Sequence, residues 1–341
     1  MKLSVKLLVL SCVASLVAGS ALAEDEVKMR FGSRLAAAAP GITEGAQILI
    51  DTAQELSGGS LKIDLFPGEQ AGKALQMYDL VKAGAVDIGT VASAYVSSDK
   101  LPLLGILELP GLASSVCAAT EAMFKLGSPG GPIFENELKP NGIRVLAYMP
   151  YPPYGPAISR KKIESVQDLQ GLKMRNAGGL MEHTVTTLGG IPVKMPAPEV
   201  YQALQRGTVD SVLFSFLSVE SYDLNSVADY GTTGYSFGTP GDILFMSETR
   251  FQSLTANQQK ALVEAGRKAS VHWCSYVDTT ESKYIEEMRA AGLQIHTWTP
   301  EQVAELTDKT KSVADEWAKS LEGRGKPARV VLEAFTAALK K

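Results

Sequence analysis

Histidine and cysteine are nearly absent, with three of each in 341 residues. The histidines, His183, His272 and His296, show no HExxH-like spacing. No cluster of Cys and His is placed to hold zinc. His183 sits in a helical pattern, "GLMEHTVTTLGG", that suits a surface or structural histidine better than a general base. The chain also lacks a G-x-S-x-G nucleophile elbow and a Walker-type phosphate loop. Its glycine-rich "GSPGGP", residues 127–132, carries two prolines and opens no phosphate-binding helix, so it reads as a loop. No pair of carboxylates stands out for acid/base work. An exported enzyme is therefore the weaker reading. Excess positive charge is missing as well: 33 Lys and Arg face 37 Asp and Glu, a formal net charge of −4. A mildly acidic, mixed-charge chain has no footprint for nucleic acid.

What is present begins with an address. A basic start, Met1-Lys2-Leu3-Ser4-Val5-Lys6, precedes a mostly apolar run and then Ala21-Leu22-Ala23, the small-x-small pattern that a signal peptidase reads. The apolar run is shorter than the roughly 18–20 residues a membrane span needs. Residues 1–23 are thus expected to be a cleavable signal peptide, which directs the protein to the periplasm. Cleavage removes Lys2 and Lys6 but no acid, so the formal charge falls from −4 to −6. Cys12 leaves with the leader. Cys117 and Cys274 then either pair or remain buried thiols; spacing does not decide between these.

Beyond the leader, "VKMRFGS", an amphipathic pattern ending near Leu56 and "LKIDLF" follow one another as strand, helix and strand. This order, repeated later, predicts an α/β protein with largely parallel sheets. The chain also echoes itself. "MYDLVKAGAVDIGTVASAY" (residues 77–95) aligns with "VYQALQRGTVDSVLFSFLS" (residues 200–218). Each has a tyrosine early in a helix, a helix-ending glycine (Gly84, Gly207), then Val-Asp (Val86-Asp87, Val209-Asp210) and an apolar strand. A constant offset over that length points to two similarly built lobes. Two α/β lobes imply a cleft, with ligand at the carboxyl ends of the strands. The expected division is residues 24–152 plus 240–279 for lobe I and 153–239 plus 280–341 for lobe II. The lobes are joined by short crossovers and by a long helix within residues 256–289.

The mature chain resembles, over nearly its whole length, the substrate-binding proteins of tripartite ATP-independent periplasmic (TRAP) transporters, DctP type. The resemblance rests on "PGEQAGKALQMYDLVKAGAVDI", "DLQGLKMRNAGG", "LGGIPVKMPAPEVYQALQRGTVDS" and "GRGKPARVVLEAF", in that order. It implies the two-lobed periplasmic binding protein fold, capture of an organic acid by hinge closure, and delivery to small and large integral-membrane subunits. It implies neither a cofactor nor a catalytic residue. Receptors of ABC importers share the bilobal logic, and that remains the alternative.

In such proteins the arginine of the "GLKxR" strand pairs with the ligand carboxylate; here it is Arg175. A planar guanidinium suits a carboxylate, offering it two parallel charge-assisted bonds. The competing reading pairs Arg175 with an internal acid such as Glu199. Relatives that bind polyhydroxylated acids carry a Glu, a second Arg and an Asn where this chain has Ala92, Gly155 (beside Tyr154) and Phe214. Ser211 and Leu213 also depart from the usual Gly and Glu, and "VLFSF" offers no ligands for a metal. Each buried ligand hydroxyl left unpartnered costs about 1–3 kcal/mol. Apolar surface packed on Phe214 and Tyr154 gains about 25 cal/mol per Å². The expected ligand is an aromatic or otherwise apolar monocarboxylate, including 2-oxo and 2-hydroxy acids. Arg34 is a candidate second contact, with an ordinary surface arginine as the rival reading. Tyr95 and Phe237 are weaker pocket candidates.

Overall fold

A computed structural model describes residues 25–113 and 115–339; the expected signal peptide lies outside them. Strands β1 (Val27–Gly32), β2 (Leu61–Phe66), β3 (Ile88–Ala92) and β4 (Ile143–Pro150) join β10 (Gly241–Ser247) in one sheet, ordered β2-β1-β3-β10-β4. Strands β5 (Gly155–Ser159), β6 (Lys173–Asn176), β7 (Ile191–Lys194), β8 (Ser211–Phe214), β9 (Tyr230–Thr233) and β11 (Gln294–Thr297) form the other, ordered β11-β9-β5-β8-β6-β7. Each sheet with its helices makes one lobe.

The expectation of largely parallel sheets needs one correction. Neighbours β2-β1-β3, β8-β6-β7 and β9-β11 are parallel. Strand β10 runs antiparallel to both β3 and β4, and β5 antiparallel to both β8 and β9. The reason is topological. These two strands enter a sheet directly from the other lobe, so they start at the cleft where the parallel strands end.

The internal echo has a structural cause. Gly84 and Gly207 close their helices at φ +72° and +71°, in the left-handed region. The aspartate three residues on then locks the neighbouring strand. Asp87 Oδ2 accepts from the Arg30 amide while the Asp87 amide donates to the Arg30 carbonyl. Asp210 does the same with the amide and carbonyl of Lys173. The Val-Asp pair thus sets the start of β3 against β1 and of β8 against β6.

The chain crosses between the lobes four times. Residues 151–154 ("YPPY") lead out and residues 234–240 lead back. They are bonded to each other: the Tyr151 amide donates to the Pro240 carbonyl at 3.0 Å, the Tyr154 amide to Gly238 at 2.8 Å and the Phe237 amide to Tyr154 at 2.7 Å. Gly238 has φ +117°, and a Cβ there would meet the Glu108 carbonyl at 2.7 Å, so only glycine fits the turn.

The third crossing is the 35-residue helix Ala256–Ala290, about 50 Å long. It grips each lobe through a carboxylate. Asp278 accepts from the amides of Val116 and Cys117 and the Ser115 hydroxyl, at the start of helix Val116–Gly127 in lobe I. One turn on, Glu281 accepts from the amides of Phe216 and Leu217, at the start of helix Phe216–Ser221 in lobe II. Acids at helix starts meet unpaired amides and the positive end of the helix dipole. Cys274 of the same helix forms a disulfide with Cys117, their Cα atoms 4.8 Å apart. That resolves the question the spacing left open.

The C-terminus departs from the expected division. Helix Ala328–Leu339 buries Val331 and Phe335 in one cluster with Leu103, Leu104, Met123 and Leu126 of lobe I. Residues 280–341 therefore do not all belong to lobe II. The chain has crossed back a fourth time, and nothing in its local pattern says on which side the last amphipathic helix docks.

Candidate ligand-binding cavity

Where β3, β6 and β8 end and β10 begins, the lobes enclose a small, tightly closed cavity. Its walls are mostly aromatic and small apolar residues, with Arg34, Arg175, Ser218 and Ser221 as polar members. No Asp, Glu, His or Cys is among the lining residues. The two serines have no carboxylate or imidazole beside them among the lining residues, and the wall's arginines offer an anion charge-assisted donors.

Arg175 is placed by β6, whose parallel pairing with both β7 and β8 buries the strand's end. Its side chain is 0% exposed. Nε and Nη2 donate to the Met195 carbonyl at 3.1 and 2.9 Å, and Nη1 to the Leu213 carbonyl at 3.4 Å. The guanidinium lies over the Phe214 ring, 4.3 Å from its centroid. Among the described residues no carboxylate pairs with it, so the alternative partner Glu199 is not used. Burial pulls the Arg175 pKa below its ordinary value and the Arg34 charge adds to this, while nearby tyrosines oppose it. A buried cation without a counter-charge is costly unless an anion arrives.

Arg34 follows β1 and is also buried, which excludes the reading as a surface arginine. Burial opposes its charge, but Asp242 and the surrounding tyrosine hydroxyls outweigh that and hold its pKa well above the ordinary value. Nη1 donates to Asp242 Oδ1 at 2.7 Å, and the Tyr151 hydroxyl donates to Oδ2 at 3.1 Å. Arg34 Nε has no partner. Counted together, Arg34, Arg175 and Asp242 leave one net positive charge.

The remaining expected residues divide. Ala92, Tyr95, Tyr154 and Phe214 line the cavity with the two arginines. The Tyr95 hydroxyl accepts from the Ala197 amide at 2.8 Å, so it also ties lobe I to lobe II. Tyr154 packs edge-on to Phe214 at 5.6 Å. Phe237 is not a lining residue; fully buried, it packs edge-on against Tyr235 at 5.2 Å. The crossing that carries it turns the ring toward the back of β5.

Sequence reasoning missed Tyr151, Ser218, Tyr222 and Asp242. Tyr151 had a signal, since the same "YPPY" crossing delivers Tyr154. Tyr222 caps the far end of the helix after β8 and stacks on Phe214 at 5.9 Å. Its hydroxyl is buried without a partner, and burial pushes its pKa up to about 12, so it stays a neutral donor.

Two α/β lobes meet over a buried cavity walled by two arginines and aromatic rings. Residues 32–320 match the bacterial extracellular solute-binding protein family 7, DctP, and the chain belongs to that family. It is 27% identical over 248 residues to the 2,3-diketo-L-gulonate-binding periplasmic protein YiaO of Escherichia coli, covering 72% of this chain and 74% of that protein. A TRAP solute-binding protein from Rhodoferax ferrireducens, solved with copurified benzoate, superposes with TM-score 0.83 at 23% identity, covering 92% and 98% of the two chains. One from a marine metagenome, specific for aromatic acids and solved with 3-hydroxybenzoate, gives 0.84 at 24% identity, covering 93% and 98%.

Proposed function

We propose that this protein is the periplasmic receptor of a TRAP transporter and that its solute is an aromatic or otherwise apolar monocarboxylate. The observation that carries the reading is Arg175, fully buried at the cavity wall with no acid among the described residues paired with it. A ligand carboxylate supplies the missing charge, and the single net charge matches a monoanion. The ligand's body packs on Phe214 and Tyr154. The two unpartnered donors, Tyr222 Oη and Arg34 Nε, suit one further acceptor such as a 2-oxo or 2-hydroxy oxygen. A polyhydroxylated acid would bring more hydroxyls than these groups can meet. Two similar structures hold benzoate and 3-hydroxybenzoate, which supports the aromatic choice; the name of the Escherichia coli relative, a sugar-acid binder, marks the competing ligand class.

Closure of the lobes about the two bonded crossings and the long helix is the binding step. Membrane subunits then take the solute from the closed receptor. The Cys117–Cys274 bond fits an oxidising compartment such as the periplasm. Thermal shift of the mature protein against aromatic, aliphatic and polyhydroxylated acids tests the reading, because a ligand bound only to the folded state raises the melting temperature. Aromatic and apolar monocarboxylates should raise it most. A larger shift from sugar acids would overturn the ligand class.

A further inference from the structure

Phe214 belongs to two cavities. Its ring lines the ligand cavity, and it also lines a larger, more open cleft behind it, of about 460 Å³. That rear cleft is lined by Gly155, Ala157, Phe216, Ile285 and Val303 together with Glu281. On the ligand side the ring is clamped by Tyr154, Tyr222 and the Arg175 guanidinium. Its direct cross-strand partner on β5 has no side chain. Gly155 pairs directly with Phe214 across the antiparallel β5-β8 ladder, and residues paired in this way project to the same face. The backbone does not demand glycine at 155, since its φ lies outside the left-handed region. Nor does crowding: an added Cβ would come no nearer than 3.7 Å to Phe237 and Tyr235. The Phe237 ring packs over residue 155 in place of a side chain, so on this strand Phe214 faces a glycine and not a second wall residue.

We propose that the Phe214 ring limits the length of ligand this receptor accepts, and that the rear cleft is a latent subsite for the tail of longer monocarboxylates with a neutral apolar end. A second anionic group is unsuited there because Glu281, already holding two amides of lobe II, contributes a carboxyl. This deepens the reading of the cavity as an apolar-monocarboxylate site and rests on it.

The test is calorimetric titration of benzoate and 4-phenylbutyrate into the wild type, Phe214→Ala, and Phe214→Ala combined with Gly155→Leu. The wild type should bind benzoate at least about tenfold more tightly than 4-phenylbutyrate, the scale at which a fixed pocket discriminates added methylenes. Phe214→Ala should reverse that order, and the added Gly155→Leu should remove the gain for 4-phenylbutyrate while leaving benzoate as in Phe214→Ala. If Phe214→Ala loses its cooperative melt, Phe214→Val carries the same comparison. Equal affinity of the wild type for both acids, or no reversal on truncation, overturns the length limit while leaving the monocarboxylate reading intact. No benzoate binding by a folded wild type, with a different acid bound tightly, sinks both.

Discussion

Replacing Asp242 by Asn tests whether the cavity's charge balance selects the ligand. Asp242 is 1% exposed and accepts from Arg34 Nη1 at 2.7 Å and from Tyr151 at 3.1 Å. The variant keeps the shape but raises the net charge of the group from one positive to two. Removing one partner of a buried ion pair costs about 3–5 kcal/mol, so the ligand-free variant should melt at a clearly lower temperature. The same charge change alters selectivity. In the wild type a dicarboxylate brings a second negative charge that no free cation meets, a penalty of about 2–5 kcal/mol, or roughly 30- to 4000-fold in Kd. In Asp242→Asn, Arg34 can meet that charge, so the preference for benzoate over phthalate should shrink by about tenfold or more. Thermal melts and calorimetric titrations of both acids read the two effects. A variant as stable as the wild type, with the same ratio of affinities, would refute the charge-balance reasoning.

Arg175→Lys keeps a charge but loses the planar fork; benzoate affinity should fall by about tenfold or more, and calorimetry showing less than a threefold change would remove Arg175 from carboxylate recognition. Glu108 is fully buried in lobe I, where its Oε1 accepts from the Ser97 hydroxyl and its Oε2 from the Leu180 amide of lobe II. Burial outweighs those bonds and lifts its pKa from 4.5 to about 8. The folded protein therefore keeps a proton that the unfolded chain releases, so this contribution to stability is whole below pH 4.5 and is lost as pH rises through about 8. Glu108→Gln should flatten the fall in melting temperature across that window, and an unchanged pH profile would count against a protonated Glu108. Cutting the Cys117–Cys274 bond by Cys274→Ser opens a loop with a sequence separation of 157. Chain entropy sets an upper estimate of about 5 kcal/mol for the loss, which denaturant melts of the variant should register, with no change expected if the bond does not form.

Much of the scaffold was legible because its signals are local. The glycine and Val-Asp of residues 84–87 and 207–210 marked two equivalent strand starts, and the structure gives both aspartates the same task. Arg175 was legible for a different reason: the family resemblance of its "GLKxR" strand singled it out, while the residues alone left ligand contact and an internal salt bridge evenly matched. Tyr222 and Asp242 were not legible, since each reaches the site only through tertiary packing, from a helix end and from a strand that re-enters lobe I. Phe237 misled because its strand-like, aromatic surroundings look the same whether the ring faces the ligand or the back of the sheet. The docking of the last helix onto lobe I was likewise beyond local pattern.

We propose that a single unmatched positive charge recruits the ligand's carboxylate. Calorimetric titration of the purified mature protein with benzoate and with benzamide, nearly identical in shape but neutral, tests it most directly. Benzoate should bind and benzamide should show no measurable heat at the same concentrations. Comparable affinity for the two would contradict the account.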